Sequence, residues 1–355
     1  MSKMGGLVIA TLALLFVSAE AQQNVITVSA ADLATAAGTT STNAKHVMRA
    51  VTAAGATYKD PAIALSGIPP TMLLPPGGNN RFPDDLSYQG GVTVQRGQSH
   101  AIYVLNSVSG AGCNLANYAA CWGNPEDFLT HLGTSEFIHI TDQYVGRHNG
   151  NRYTNGANAF ICCANLSNTG TNSFTDLTMQ FVLVLAISAY ALPTGENDIY
   201  HIFLPPGTDE CFSVPGMFPC YSPDNPNTFA YCGYHSSVTI NGLGHVLYSV
   251  EPYTNVPGCS VPPGTPNGML ADSTANVLSH ETFETITDPE GDAWWNFFNL
   301  GSFGDEIGDE CTYQIVLNTG GFYNPSVFSI SGKKFAVQPE YSNGSHSCGT
   351  KPPDD

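Results

Sequence analysis

The sequence predicts a mixed α/β domain, on three observations. Strand-like and helix-like patches alternate from residue 84 onward, no segment repeats an earlier one, and the stretch after a clear hairpin is helical with one polar face. At 355 residues the chain is long enough to bury a sizeable core, as one large domain or two smaller ones.

The elements follow in order. Residues 1–21 read as a secretory signal, with Lys3 as the positive start, Gly6 to Val17 as the apolar core and Ala19-Glu20-Ala21 as a small-residue cleavage site before Gln22. Residues 22–83 form an arm. It is rich in Ala, Thr and Ser, has little apolar periodicity beyond Val47 to Val51, and so predicts a weak helix or a mobile segment. Its end, Ile68-Pro69-Pro70 through Pro75-Pro76-Gly77-Gly78, is an extended linker by composition. The domain proper is assigned to residues 84–355, beginning near Asp84.

Within it, Val92 to Leu105 reads as strand interrupted at Gly97, and Glu126 to Tyr144 as helix. Phe174 to Ala191 fits either periodicity, but its length favours a helix. Its apolar run, Phe181 to Ala191, is too short to span a bilayer, which takes about 20 residues, and is read as a buried core element. Ile199 to Leu204, stopped by Pro205-Pro206, reads as a buried strand. Phe229 to Ile240 and His245 to Val250, joined by Asn241-Gly242-Leu243-Gly244, form the hairpin. A helix over 273–287 comes next, and then short strands around Tyr313 to Leu317 and Phe328 to Val337.

Charge and cysteines bound the function. Asp and Glu number 29 against 11 Lys and Arg, a formal charge of −18, and such a surface repels phosphate backbones; a nucleic-acid partner is excluded on that ground. Ten cysteines, all after position 112, suit the oxidising compartment to which a signal peptide leads and allow five disulfides. Two glycosylation acceptors, Asn165-Leu166-Ser167 and Asn343-Gly344-Ser345, call for surface loops if used. The sequence contains no Gly-x-Ser-x-Gly elbow, no phosphate-binding glycine loop and no cysteine pair at zinc-finger spacing. The adjacent Cys162 and Cys163 are read as pairing with distant cysteines rather than as a redox couple. Oligomeric state is not legible.

Chemistry concentrates in His280-Glu281-Thr282-Phe283-Glu284 and in the acidic Gly304-Asp305-Glu306-Ile307-Gly308-Asp309-Glu310 that follows. At about 100° per residue, a helix over 273–287 places His280, Glu281, Glu284, Thr287 and Asp288 within an arc of roughly 120°. Ala275, Leu278, Phe283 and Ile286 occupy the remainder. Residues four apart share a face, so His280 and Glu284 can ligate one ion while Glu281 addresses a bound water.

From Asp84 to Cys348 the chain resembles the EXORDIUM-like, phosphate-induced protein family of secreted and cell-wall-associated proteins. The resemblance rests on Leu86-Ser87-Tyr88-Gln89-Gly90-Gly91, the strand Ile199 to Leu204, Cys232-Gly233-Tyr234-His235, Cys259, and Pro266-Asn267-Gly268. It continues through His280-Glu281, Glu284, Thr287-Asp288-Pro289, Ala293-Trp294 and Glu306-Ile307-Gly308-Asp309 with Cys311. Residues 108–175 and the first 80 or so depart from that pattern. The motif also resembles the helix of zinc peptidases, with Glu284 standing where their second histidine ligand stands, and with Glu306 as a third ligand. The resemblance implies a disulfide-stabilised, zincin-like mixed sheet with an active-site helix. Its metal ligands would be His280, Glu284 and Glu306, with Asp309 orienting one of them, and Glu281 would be the general base.

Two functions follow as expectations. One is a secreted zinc-dependent hydrolase acting on peptide bonds; the other is a non-catalytic wall or matrix protein that keeps the same centre as a structural site. One imidazole and two carboxylates put more negative charge on zinc than two imidazoles, which makes bound water less acidic and favours the second. Calcium is an alternative cation, using Asp288, Glu290, Asp292, Asp305 and Asp309. His235 is a candidate for stabilising an oxyanion or donating to substrate, against a structural role beside a disulfide. Trp294 and Trp295 are candidates for stacking on a sugar or peptide side chain, against core packing.

Overall fold

The computed structural model describes residues 26–27, 46–50, 85–107, 109–146, 152–162, 174–212, 218–296, 306–315 and 321–352. The signal segment, the proline-rich stretch, Asn165 and Asp305 lie outside these residues.

An eight-stranded mixed sheet forms the centre. Its strands are β1 (Ile26–Thr27), β2 (His46–Arg49), β3 (Gly97–Leu105), β4 (Tyr153–Asn155), β5 (Ala159–Cys162), β6 (Asp198–Phe203), β7 (Tyr231–Ile240) and β8 (Gly244–Glu251). Across the sheet the order is β1-β5-β3-β6-β8-β7-β2, with β4 also pairing β3. All pairs from β1 to β8 are parallel, while β7 runs antiparallel to both β8 and β2. The hairpin and the strand at Ile199 are therefore as the sequence predicts.

Period-two alternation assigns the faces. Tyr200 and Ile202 on β6, Tyr248 and Val250 on β8, and Tyr234 on β7 pack with Met179, Val182, Leu183 and Ala186 of one helix. That helix spans Asp176–Tyr190, has a Thr175–Thr178 capping box, and matches the helical reading of Phe174 to Ala191. Ile199, Phe203 and Leu247 face the other way, toward Leu278, Phe283 and Ile286. Naming helices in chain order, α1 is Pro125–Gly133, α2 is Asp176–Tyr190, α3 is Met269–Thr287 and α4 is Asp309–Ile315.

Helix α3 starts after Gly268, at φ 86°, and the Asp272 carboxylate in its first turn accepts the backbone N–H groups of Asn267 (2.9 Å) and Ala336 (3.1 Å). It stops at Asp288 because Pro289 disfavours a helical residue before it. The helix is buried on every side from Asp272 to Thr287 rather than turning its polar stripe to an open cleft. Thr282 and Thr285 satisfy their buried hydroxyls by donating to the carbonyls four residues back, both at 2.6 Å.

Four expectations are corrected. Glu126 to Tyr144 is not one helix: α1 ends at Gly133, and Ser135 Oγ then accepts Ile138 N–H (3.2 Å), opening a separate 3-10 turn over Phe137–Thr141. Tyr313 begins no strand; the described part of that segment, to Ile315, lies in α4, whose first turn carries Asp309 and Glu310 at the end that favours negative charge. In place of a helix or mobile segment around Val47, β2 fills the edge of β7, because a four-residue run is too short to hold a helix alone and gains a ladder partner here. The interruption at Gly97 is the strand's first residue, and the segment before it instead runs past α3, Val94 N–H donating to Ile286 O (2.9 Å). The Phe328 to Val337 segment is a hairpin, Ser326–Ile330 against Lys333–Val337.

Four disulfides are described, Cys113–Cys121, Cys211–Cys220, Cys232–Cys259 and Cys311–Cys348, and Cys162 is also disulfide-bonded. No described helix is long and apolar enough to cross a membrane.

Candidate metal centre

Three elements converge beneath the α3 face of the sheet. Helix α3 supplies His280, Glu281 and Glu284; β7 supplies His235; the segment entering α4 supplies Glu306 and Asp309. All are fully buried except Asp309, whose side chain is 6% exposed.

Two glycines set the approach. A Cβ at Gly308 would lie 2.6 Å from His280 Nδ1 and 2.9 Å from Glu284 Oε1, so only glycine lets this backbone close over the helix. A Cβ at Gly233, beside the β7 bulge, would lie 2.6 Å from Val277 Cγ1 and 2.9 Å from Glu281 Oε1. The disulfides clamp both approaches, Cys232 standing one residue before Gly233 and Cys311 two after Asp309.

The donor atoms meet at short range. His280 Nε2 lies 2.9 Å from Glu284 Oε1 and 3.7 Å from Asp309 Oδ1. His235 Nδ1 lies 3.4 Å from Glu281 Oε2 and 3.5 Å from Glu284 Oε2, while its Nε2 lies 3.2 Å from Asp288 O and 3.7 Å from Glu306 Oε1. Two donors held at ~2.0–2.1 Å from one ion are ~2.9 Å apart at a right angle and ~3.4 Å apart in a tetrahedron, so these separations resemble ligand edges. His280 Nδ1 has no hydrogen-bond partner, its Nε2 meets only the carboxylates of Glu284 and Asp309, and Glu281 Oε2 and Glu284 Oε2 face only the His235 ring, at 3.4 and 3.5 Å. Buried polar atoms in this state are rare and call for an ion or another partner. Two sets have the reach to hold a cation, His280–Glu284–Asp309 and His235–Glu284–Glu306.

In the absence of a cation, protons balance the charge. Burial drives Glu306 well above the usual carboxylate range, and Glu284, Asp288, Asp309 and Glu281 add to it. Burial likewise raises Glu281, against the pull of His235 and His280. For His235, burial opposes the charged form, but the carboxylates of Glu281 and Glu284 outweigh it and raise its pKa to about 9. Burial works against a charged Glu284 too, yet the two histidines hold it below the usual range.

His280, Glu281, Glu284, Glu306 and Asp309 sit in one cluster, but grouped otherwise than expected: Asp309, not Glu306, joins His280 and Glu284, and Glu306 groups with His235. His235 joins it as a potential ligand. Glu281 is engaged, since its Oε1 accepts the N–H of Met48 on β2 (3.3 Å). The calcium set does not converge among the described residues. Asp288 Oδ1 accepts Ala293 N–H (2.7 Å), Glu290 pairs with His245 (2.9 Å) and the Asp292 carboxylate lies against Gly91. Trp294 is held by the protein itself, donating to Tyr144 O (2.8 Å) and lying against the rings of Tyr88 and Tyr144. The Asn343 amide is tied to the backbone, its Nδ2 donating to Leu86 O (2.8 Å) and its Oδ1 accepting Leu86 N–H (2.9 Å).

Sequence reading missed Glu251 and Glu340. Both are fully buried and pushed upward by burial, Glu251 to about 8, with Glu281 adding to its shift and Glu284 to that of Glu340. A signal existed for the first: His201, Ser249 and Glu251 occupy alternate positions of buried strands, and His235, Ser249 and His201 lie in register across β7, β8 and β6. A polar row inside a buried sheet face marks a site.

No family model, no curated protein and no solved structure matches this chain.

Proposed function

We propose that the chain is a secreted metalloprotein whose centre supports metal-dependent hydrolysis of peptide bonds. The observation that carries the reading is His280, fully buried, with Nδ1 without a hydrogen-bond partner and Nε2 facing two carboxylates, Glu284 Oε1 at 2.9 Å and Asp309 Oδ1 at 3.7 Å. The fit of the donor set supports zinc first, since imidazole is present on both sides of Glu284. A bound divalent ion would supply a more acidic water and a polarised carbonyl. Glu281 is the group placed to take the proton of the attacking water and hand it to the leaving amine. The likeness of residues 84–348 to secreted, wall-associated proteins and the reading of residues 1–21 as a signal segment support an extracellular setting, and the disulfides agree with it.

A second reading, a structural metal in a non-catalytic wall or matrix protein, is favoured by one observation. Every ligand candidate but Asp309 is fully buried, and β2 covers Glu281. Metal analysis of chelator-free protein, together with peptide hydrolysis by Glu281→Gln, separates the readings. Bound zinc with cleavage lost in Glu281→Gln at unchanged metal content is the expected result. Zinc without cleavage in either protein selects the structural reading, and less than a tenth of an equivalent of metal removes both.

A further inference from the structure

We infer that the centre binds two divalent cations, bridged by the carboxylate of Glu284. The inference rests on the metal-binding reading and adds to it the number of ions and the division of ligands between them.

The two oxygens of Glu284 serve different partners. Oε1 faces His280 Nε2 at 2.9 Å, and His280 Nε2 is in turn 3.7 Å from Asp309 Oδ1. Oε2 faces the other histidine, 3.5 Å from His235 Nδ1, while Glu306 Oε1 lies 3.7 Å from His235 Nε2, so that one ring nitrogen, Glu284 and Glu306 fall within 4.8 Å of one another. Each set of three places one atom per residue within 4.8 Å of the others, and Glu284 is the one member common to both. A carboxylate presenting one oxygen to each of two imidazole-carboxylate pairs is the arrangement of a bridging ligand. Two-metal hydrolytic sites hold their ions about 3.5–4 Å apart.

A single ion in the first set leaves the second unaddressed. Glu284 Oε2 and Glu281 Oε2, both buried and without a hydrogen-bond partner, stay beside His235 with no cation between them. Charge points the same way. Glu251, Glu281, Glu284, Asp288, Glu306 and Glu340 are each at most 1% exposed, against three histidines that described ion pairs bring to them, His201, His235 and His280. Two divalent ions offset such an excess better than one.

The backbone is built to hold both sets at once. Asp309 N–H donates to Glu284 Oε1 (3.1 Å), fixing the carboxylate plane from the α4 side, while Asp288 O fixes the His235 ring from the α3 side. Gly308 O accepts from Gln338 Nε2 (2.8 Å), which ties the close backbone approach to the segment after the C-terminal hairpin.

The test titrates full-length protein, stripped by chelator and re-equilibrated, with Zn2+ by calorimetry, and counts metal after gel filtration. Two equivalents are expected, with one retained by His280→Ala and one by His235→Ala. Loading the unsubstituted protein with Mn2+ gives a check that needs no variant: a bridged pair shows an exchange-coupled electron paramagnetic resonance spectrum. A single equivalent in the unsubstituted protein that is absent from both histidine variants, or a Mn2+ spectrum of isolated ions only, overturns the bridged pair and leaves the metalloprotein standing. No bound Zn2+ or Mn2+ overturns both.

Discussion

The two faces of the central sheet each take in a group of carboxylates, with Glu210 buried beside a half-buried Asp176 on one and Glu281, Glu284 and Glu306 fully buried on the other, and they solve the problem differently. On the α2 face Asp176 accepts Tyr248 OH (2.6 Å), Tyr234 OH (3.0 Å) and Gln180 Nε2 (2.8 Å), and Glu210 accepts from Tyr231 and Tyr234. On the α3 face Ser249 Oγ donates to Glu251 (2.7 Å), but Glu281 and Glu284 meet histidines, other acids and backbone N–H groups, and several oxygens remain without a hydrogen bond. Burial of acids therefore does not itself announce a metal. The supply of neutral donors does: tyrosines close one cluster as a structural network, whereas among the described residues no hydroxyl or side-chain amide donates to Glu281 or Glu284, and lone pairs converge there on common points.

The largest expected effect breaks this asymmetry at its centre. His280→Ala removes an imidazole ligand and should weaken the ion held with Glu284 and Asp309 by at least about 100-fold, whereas Asp176→Asn on the opposite face should leave metal content unchanged. Metal analysis of the two purified variants checks it; equal loss in both would mean the centre merely follows global stability. Next comes the clamp. Replacing Cys232 and Cys259 by serine opens a 27-residue separation and should cost about 3 kcal/mol, read in denaturant unfolding, and should loosen metal as well because Gly233 and His235 adjoin Cys232. The smallest change sharpens the contrast. Tyr248→Phe deletes one donor to Asp176 and should cost about 1.5–3 kcal/mol, the range for a hydrogen bond to a charged group, with metal content intact.

Much of the centre is legible in sequence because its first half is local. His280, Glu281 and Glu284 share a helix, where spacing alone sets the face, and the hairpin of β7 and β8 is announced by its glycine-rich turn. Glu306 and Asp309 were recognisable as an acidic stretch. The failures are of a different kind. Tyr313 to Ile315 and Val47 to Met48 carry apolar residues compatible with either structure, and the choice was made by neighbours far along the chain: a free sheet edge for β2, and a helix start at Asp309 for α4. His235 was visible as a histidine beside a cysteine, but nothing local relates it to Glu284.

By itself, then, the sequence determined the mixed α/β class, the helix that carries His280-Glu281 and Glu284, and a strongly acidic balance, because these follow from short-range periodicity and net charge. Only the tertiary structure decided that His235 faces Glu284, that Gly308 brings Glu306 and Asp309 over the helix, that Glu251 and Glu340 lie nearby, and that β2 covers Glu281. Those relations depend on sheet register and on backbone approaches between segments remote in sequence, which the pairing of strands and the packing of α3 against them create.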